Sequence, residues 1–238
     1  MICKFKKNLL IFLVLVLMIS SCTLMNRVFQ RKQISSYKCH SSYCKLYTAK
    51  DSVIIKYFRE LVQVCGIKNY DTILSIGAGS GGREFLISLY TDNVLFYLED
   101  IDTSCISQEK ISKIYYPHYS KLRGKPITNR FVTIQGSDTL TGMDYLSVNK
   151  IFISNVFHHF TNDKAMINEC TRVLRKNGKL IITEHVLKKN KKSYKFCDYG
   201  GYYKTEENFI NDIIKNGFLL NSVIREGKYW RIFIFSKK

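Results

Sequence analysis

The feature that most constrains this chain is the alternation of short strand-like runs with helical patterns from about residue 51 to the C-terminus. An amphipathic helical pattern from Val53 to Cys65 ends at Gly66. The strands predicted after it are Thr72–Ile76, Val94–Leu98, Phe131–Gln135, Lys150–Ser154 and Leu180–Glu184. The helices predicted between and after them are Gly81–Tyr90, Ser104–Tyr116, Asp163–Leu174 and Thr205–Asn216. Such alternation specifies a mostly parallel sheet with helices on both faces.

The end of the chain breaks this alternation. Phe218–Arg225 and Tyr229–Ser236 are two strand-like runs separated by a short polar turn at Gly227, which predicts a hairpin. A hairpin adds an antiparallel strand to the parallel set. The predicted fold class is therefore α/β, a Rossmann-like, doubly wound, mostly parallel seven-stranded sheet with a C-terminal antiparallel hairpin.

The first 22 residues form a targeting segment rather than part of the fold. Basic residues at Lys4, Lys6 and Lys7 precede an unbroken apolar run, Leu9–Ile19. Small residues then lead to Cys22, an arrangement that resembles the bacterial lipoprotein signal, in which the matching cysteine becomes lipidated. We expect a signal over residues 1–22, a linker over 23–50 and one domain over 51–238, a size at which a single core suffices.

A second interpretation of the N-terminus stays open. No charged residue lies between Lys7 and Arg27, so the segment approaches the length of a membrane-spanning helix. Basic residues follow it, which favours an uncleaved signal anchor with the domain in the cytoplasm. The sequence thus predicts a membrane-associated protein, as a lipoprotein or alternatively as an anchored cytoplasmic domain.

The net charge and the cysteines limit the kinds of binding partner that the chain can have. A net charge of +18 suits anionic lipid or nucleic acid, but no arginine-rich or aromatic-interleaved motif accompanies it, so nucleic acid is disfavoured. Cys39 and Cys44 can form a small disulfide loop; no second ligand pair follows, so no metal site is predicted. Cys65, Cys105 and Cys170 fall within helical patterns and are interpreted as small core residues. The oligomeric state cannot be read from the sequence.

A glycine cluster follows the first strand and opens a helix. Gly77, Gly79 and Gly81 lack the Cβ atom that would hold a ligand away from the backbone, and the cluster also includes Ala78. About twenty residues later the second strand leads into Glu99, Asp100 and Ile101. A carboxylate at that spacing can accept hydrogen bonds from both ribose hydroxyl groups. We take Asp100 as the first candidate and Glu99 as the second.

Two further loops belong to the same edge of the sheet. Ser137 and Asp138 follow the third strand, and Asn155 follows the fourth, shortly before His158 and His159. In open sheets of this kind, ligands bind beyond the carboxyl ends of the strands. All four loops therefore converge on one predicted site.

These motifs, in this order and spacing, resemble the class I S-adenosylmethionine-dependent methyltransferases, in particular those that act on small molecules, quinones and lipids. The resemblance also includes the block from Arg172 to Ile182 and spans about residues 51–238. It implies that S-adenosyl-L-methionine is the cofactor. It assigns the glycines to the methionine and ribose part, Asp100 to the ribose, Ser137 and Asp138 to the adenine, and Asn155 to the surroundings of the sulfonium.

The chain departs from the family at two places. The family usually has an acid two residues before its first glycine, where this chain has Ser75, which can donate a hydrogen bond but carries no charge. The family's double glycine is here Asn177 followed by Gly178.

Three functions follow in order of preference. The first is methyl transfer to a small-molecule or lipid-like acceptor at a membrane, with His158 or His159 as a candidate base because imidazole titrates near neutrality. The second is a membrane-anchored, non-catalytic binding protein with a degenerate methyltransferase fold. The third, RNA methylation, ranks lower because the base-flipping motif of such enzymes is absent.

Overall fold

A seven-stranded sheet forms the centre of the protein in a computed structural model, which describes residues 52–187 and 202–238. The strands are β1 (Thr72–Ile76), β2 (Leu95–Asp100), β3 (Arg130–Gln135), β4 (Val148–Ser154), β5 (Leu174–His185), β6 (Phe218–Glu226) and β7 (Trp230–Lys237). Their order in the sheet is β3-β2-β1-β4-β5-β7-β6. Strands β1 to β5 pair in parallel, and β7 runs antiparallel to both of its neighbours. This confirms the predicted fold class, including the terminal hairpin.

Helices cover both faces of the sheet. They are α1 (Ser52–Val64), α2 (Gly82–Ser88), α3 (Gln108–Lys110), α4 (Tyr116–Arg123), α5 (Asp163–Val173) and α6 (Glu206–Lys215), with a π-helical segment at Ile111–Tyr115 and a 3-10 segment at Phe157–His159. Successive residues of a strand point to opposite faces, so Ile73 joins one buried apolar cluster and Leu74 the other. The central strands are therefore apolar on both sides, as parallel strands covered by helices must be.

Several predicted boundaries are wrong in instructive ways. The helix predicted from Ser104 begins at Gln108, because the side chain of Ser107 accepts a hydrogen bond from Lys110 N and caps that end. It also continues past Tyr116 as α4, where Pro117 is tolerated in the first turn. The strand predicted from Leu180 already begins at Leu174, which pairs with Val148 before the register shifts.

The three described cysteines are all buried, as predicted for core residues. Cys65 and Cys170 are free thiols. Cys105 is different: it lies before α3 rather than within a helix, and it is disulfide-bonded.

Several sequence-based predictions also lie outside the described residues. These are the signal over 1–22 with Cys22, the linker over 23–50, and Cys39 and Cys44. Within 52–187 and 202–238, none of the helices combines the length and the apolar character needed to cross a bilayer.

Candidate functional site

The glycine turn between β1 and α2 has the backbone that its sequence predicts. Gly77, Gly79 and Gly81 have φ values of 66°, 54° and 70°, in the left-handed region that disfavours other residues. A Cβ atom on Gly77 would lie 2.6 Å from the side chain of Val156, whereas one on Gly79 would meet nothing within 4 Å. The turn is thus packed at Gly77 and open at Gly79, which leaves room for a ligand against the backbone at Gly79.

Two neighbouring carboxylates at the end of β2 accept hydrogen bonds from the main chain of this turn. Gly79 N donates to Asp100 Oδ2 at 2.8 Å, and Gly77 N donates to Glu99 Oε2 at 3.3 Å. Ala78 N donates to the main-chain oxygen of Glu99 at 2.9 Å. Adjacent strand residues point to opposite faces, so the two carboxylates reach the turn from different sides of the sheet.

Asp100 lies at the carboxyl end of β2, beside the glycine turn. Its Oδ1 accepts from Asp102 N at 2.9 Å, so main-chain donors orient both carboxylate oxygens. The side chain is partly exposed, and burial raises the pKa of its carboxyl group despite these hydrogen bonds. Ile101, the next residue, is also partly exposed.

Glu99 is buried and contributes to the architecture of the turn. Burial, with the nearby charge of Asp100, raises the pKa of Glu99 from 4.5 to about 8. Gly136 makes room for it, since a Cβ atom there would lie 1.6 Å from Glu99 Oε1. Of the two predicted acids, only Asp100 combines exposure with orientation toward the turn.

The loop after β3, which contains Ser137 and Asp138, is held by hydrogen bonds to other residues of the protein. Ser137 is exposed, and its hydroxyl accepts a hydrogen bond from Leu140 N at 3.0 Å within a local turn. Asp138 is also exposed and accepts from Thr161 Oγ1 at 3.1 Å, which ties this loop to the segment after β4. Their assignment to the adenine remains a prediction.

Asn155 leaves β4 in an unusual conformation. Its φ is 56°, and its main-chain N–H donates to Thr183 O on β5 at 2.8 Å. The side-chain oxygen, Oδ1, is buried and accepts no hydrogen bond from the described protein. An acceptor left without a donor at the end of a central strand is suited to a ligand that brings one.

Ser75, under the turn, pairs with an acid that the sequence did not predict. Its hydroxyl donates to Glu84 Oε1 at 2.6 Å, and both residues are only 2% exposed. Glu84 stands in the first turn of α2, nine residues further along the chain. The only sign of this buried acid in the sequence is its position among the apolar residues of a predicted helix.

The two predicted histidines differ sharply in their surroundings. His158 Nδ1 lies 3.0 Å from both carboxylate oxygens of Glu184, a buried acid near the end of β5, and this partner was not predicted. The His158 and His159 rings lie 4.0 Å apart, and burial together with His158 lowers the pKa of His159 from 6.5 to about 4. The ring of Tyr203 packs against His158 at 4.6 Å.

Comparisons with known proteins bear on the fold and on the enzyme class. A family model described as "Methyltransferase domain" matches residues 118–182. A SAM-dependent methyltransferase from Aquifex aeolicus has the same fold, with a TM-score of 0.61 and 16% identity over 84% of this chain and 100% of that one. The PH0226 protein from Pyrococcus horikoshii OT3 gives a TM-score of 0.58 and 18% identity over 85% and 98%. No curated protein matches.

The fold is therefore that of the class I methyltransferases. The family model and these neighbours support the enzyme class predicted from the motifs, an S-adenosylmethionine-dependent methyltransferase, and with it the predicted cofactor. The same fold also occurs in the [4+2]-cyclase SpnF, with a TM-score of 0.57 and 11% identity over 77% of this chain and 80% of that one. Function must accordingly be argued from the site.

Proposed function

We propose that this protein transfers the methyl group of S-adenosyl-L-methionine to a small-molecule or lipid-like acceptor at a membrane. The observation that carries the proposal is the glycine turn, which is open at Gly79 and held on its sugar side by the partly exposed carboxylate of Asp100. The turn offers backbone without side chains and Asp100 offers acceptors for hydroxyl groups, so these residues fit an adenosyl group.

The cofactor, when bound, supplies a methyl group that is already activated on its sulfonium. The chain itself then has to position the acceptor and exclude water. The open turn, Asp100 and Asn155 lie at the carboxyl ends of β1, β2 and β4, three neighbouring strands, so one ligand lying across this edge can meet all of them.

His158 is the base that the geometry favours for an acceptor with a hydroxyl or amino group. The Glu184 carboxylate, 3.0 Å from Nδ1, favours the tautomer with the proton on Nδ1. Nε2 is then the nitrogen that takes a proton from the acceptor. Glu184 acts on the reaction only through His158, so it is a positioning residue.

Attachment to a membrane is supported by the N-terminal sequence. The apolar run Leu9–Ile19 and Cys22 together favour a lipid anchor, and the net charge of +18 favours contact with anionic head groups. A reporter fused to the C-terminus that fluoresces only in the cytoplasm separates the two orientations. Fluorescence supports the signal anchor, and its absence with intact protein supports the lipoprotein.

One observation favours the alternative of an exported, non-catalytic binding protein. Cys105 forms a disulfide, and disulfides persist mainly in oxidising compartments, away from where the cofactor is made. Titration calorimetry of the full chain with S-adenosylmethionine and S-adenosylhomocysteine distinguishes the two functions. Micromolar binding supports the enzyme, and binding that is absent or weaker than about millimolar removes it.

The assignment of Asp100 has its own test. We expect Asp100→Ala to weaken cofactor binding by about 1 to 3 kcal/mol, the cost of losing hydrogen bonds to a charged group. Asp102→Ala is the matched control, because Asp102 is two residues away and accepts from Ser104 N rather than from the turn. Equal affinities of the Asp100 variant and the parent protein would contradict the ribose assignment.

A further inference from the structure

The Ser75–Glu84 pair joins the two elements that flank the glycine turn. Ser75 is the second-last residue of β1, and Glu84 lies in the first turn of α2. The 2.6 Å hydrogen bond between them spans the turn from strand to helix. Ser75 occupies the position at which the resembling family has an acid, so the carboxylate of Glu84 stands one side chain away from that position.

The charge of Arg83 acts on the Glu84 carboxyl group and favours its ionised form, but no ion pair joins the two among the described residues. Oε1 accepts from Ser75, while Oε2 is buried and accepts no hydrogen bond from the described protein. Arg83 is the neighbour in sequence, but its Nη1 donates to Thr183 at 3.4 Å and its guanidinium lies 5.9 Å from the centre of the Phe58 ring. A buried carboxylate of this kind costs free energy unless a positive group compensates it.

The Ser75–Glu84 pair belongs to the part of the sheet that we expect the amino-acid end of the cofactor to cross. Asp100, at the tip of β2, marks the sugar end of an adenosyl group. The other end of a ligand laid across the sheet then passes over β1 and β4, which are adjacent. Ser75 belongs to β1, and Asn155, whose Oδ1 also accepts no hydrogen bond from the described protein, follows β4. Glu84 Oε2 and Asn155 Oδ1 are therefore two buried acceptors without a donor among the described residues, one on the helix that follows β1 and one directly after β4.

We infer that Glu84, acting through Ser75, supplies the negative charge that stabilises the ammonium group at the amino-acid end of the bound cofactor. The inference rests on the function proposed above. In it, Glu84 on the following helix takes the role of the acid that is missing at position 75. Because Ser75 and Glu84 are both buried, the carboxylate acts by its field and by orienting the Ser75 hydroxyl, so Glu84 is a positioning residue. Charges interact more strongly in such a low-dielectric interior than in water.

Burial and a bound cation act in opposite directions on the protonation of Glu84. Burial raises the pKa of its carboxyl group, and the hydrogen bond from Ser75 opposes that shift. A cation bound nearby favours the ionised form. The carboxylate and the cofactor therefore stabilise each other's charge.

The test uses three probes that differ in the charged groups they carry. S-adenosylmethionine carries a sulfonium, an ammonium and a carboxylate group, S-adenosylhomocysteine lacks the sulfonium, and 5′-methylthioadenosine lacks all three. In the full chain we expect Glu84→Gln to weaken binding of the first two probes about tenfold, as for the loss of an interaction with a charge. We expect its affinity for 5′-methylthioadenosine to stay within about twofold.

Two further variants exclude a merely structural effect. Moving the charge back to the strand, in the double variant Ser75→Asp with Glu84→Ala, should restore most of the affinity for S-adenosylmethionine. Glu169→Gln is the matched control. Glu169 is also buried, but its carboxylate pairs with Arg172 on the same helix, α5, and with Thr141 in the loop after β3. We expect this variant to bind all three probes as the parent protein does.

The outcomes separate this inference from the proposed function. If the parent protein binds none of the three probes, the proposed function is wrong. If the parent protein binds S-adenosylmethionine and Glu84→Gln binds it equally well, or loses all three probes alike, the role of Glu84 is wrong while the function stands.

Discussion

Glu99 shows how a buried acid at the site affects stability. Burial raises its pKa to about 8, so between its ordinary pKa of 4.5 and about 8 the folded protein holds a proton that the unfolded chain has lost. The stability linked to Glu99 is therefore fully present below about pH 4.5 and is lost as the pH rises through about 8.

We expect Glu99→Gln to flatten this dependence, because glutamine carries no titrating proton. The measurement is the free energy of unfolding in urea at about pH 5 and about pH 8. The parent protein should lose more stability over this interval than the variant does. Identical losses would mean that Glu99 titrates near its ordinary pKa in the folded protein.

The glycines of the turn should respond differently to substitution. In Gly79→Ala the new methyl group meets no protein atom, so the cost to folding is about 1 to 2 kcal/mol from the left-handed backbone alone. Gly77→Ala adds a contact of 2.6 Å with Val156 and should destabilise the fold more. Thermal unfolding compares the two variants. The Gly79 variant should remain folded yet bind cofactor weakly, since its methyl group enters the ligand's space.

At the scale of elements, the cap of α5 is a determinant of stability that lies outside the cofactor site. Asn162 Oδ1 accepts from Ala165 N at 3.0 Å, which satisfies a main-chain donor at the start of the helix. We expect Asn162→Ala to lower the free energy of unfolding by about 1 kcal/mol. Affinity for S-adenosylmethionine should not change, and a parallel loss of affinity would show that the start of α5 also shapes the site.

The periodicity of the sequence predicted the elements better than it predicted their ends. Strand β1 matches its prediction because apolar residues are bounded by Asp71 and by the glycine turn. The start of α3 does not match, because Ser104 and Ser107 are equally good caps in sequence and only the folded loop places Ser107 over Lys110 N. Such choices depend on tertiary contacts that a local pattern does not contain.

At the scale of the whole molecule, the described cysteines differ in their expected reactivity. Cys65 and Cys170 are buried free thiols, and burial raises the pKa of Cys65 to about 12, so neither should react in the native protein. We expect an alkylating reagent to label both only after unfolding, and to label Cys105 only after unfolding and reduction. Mass spectrometry of the labelled peptides measures this. Labelling of Cys105 without reduction would contradict the disulfide and weaken the case for export.

The site was predictable where one short segment carries it and unpredictable where distant segments meet. The glycine turn and the acids at the end of β2 are visible in sequence because strand, turn and acid follow at a fixed spacing. Glu184 and Glu84 were missed, because their roles depend on His158 and Ser75, which come from other elements of the fold. Pairings of this kind appear only once the sheet order is known.

The Ser75–Glu84 pair also bears on how related chains are recognised. A search pattern that demands an acid two places ahead of the first glycine passes over this chain, although a carboxylate is present a single hydrogen bond away. A pattern that accepts a hydroxyl there when an acid opens the next helix would gather sequences in which the two positions have exchanged their chemistry.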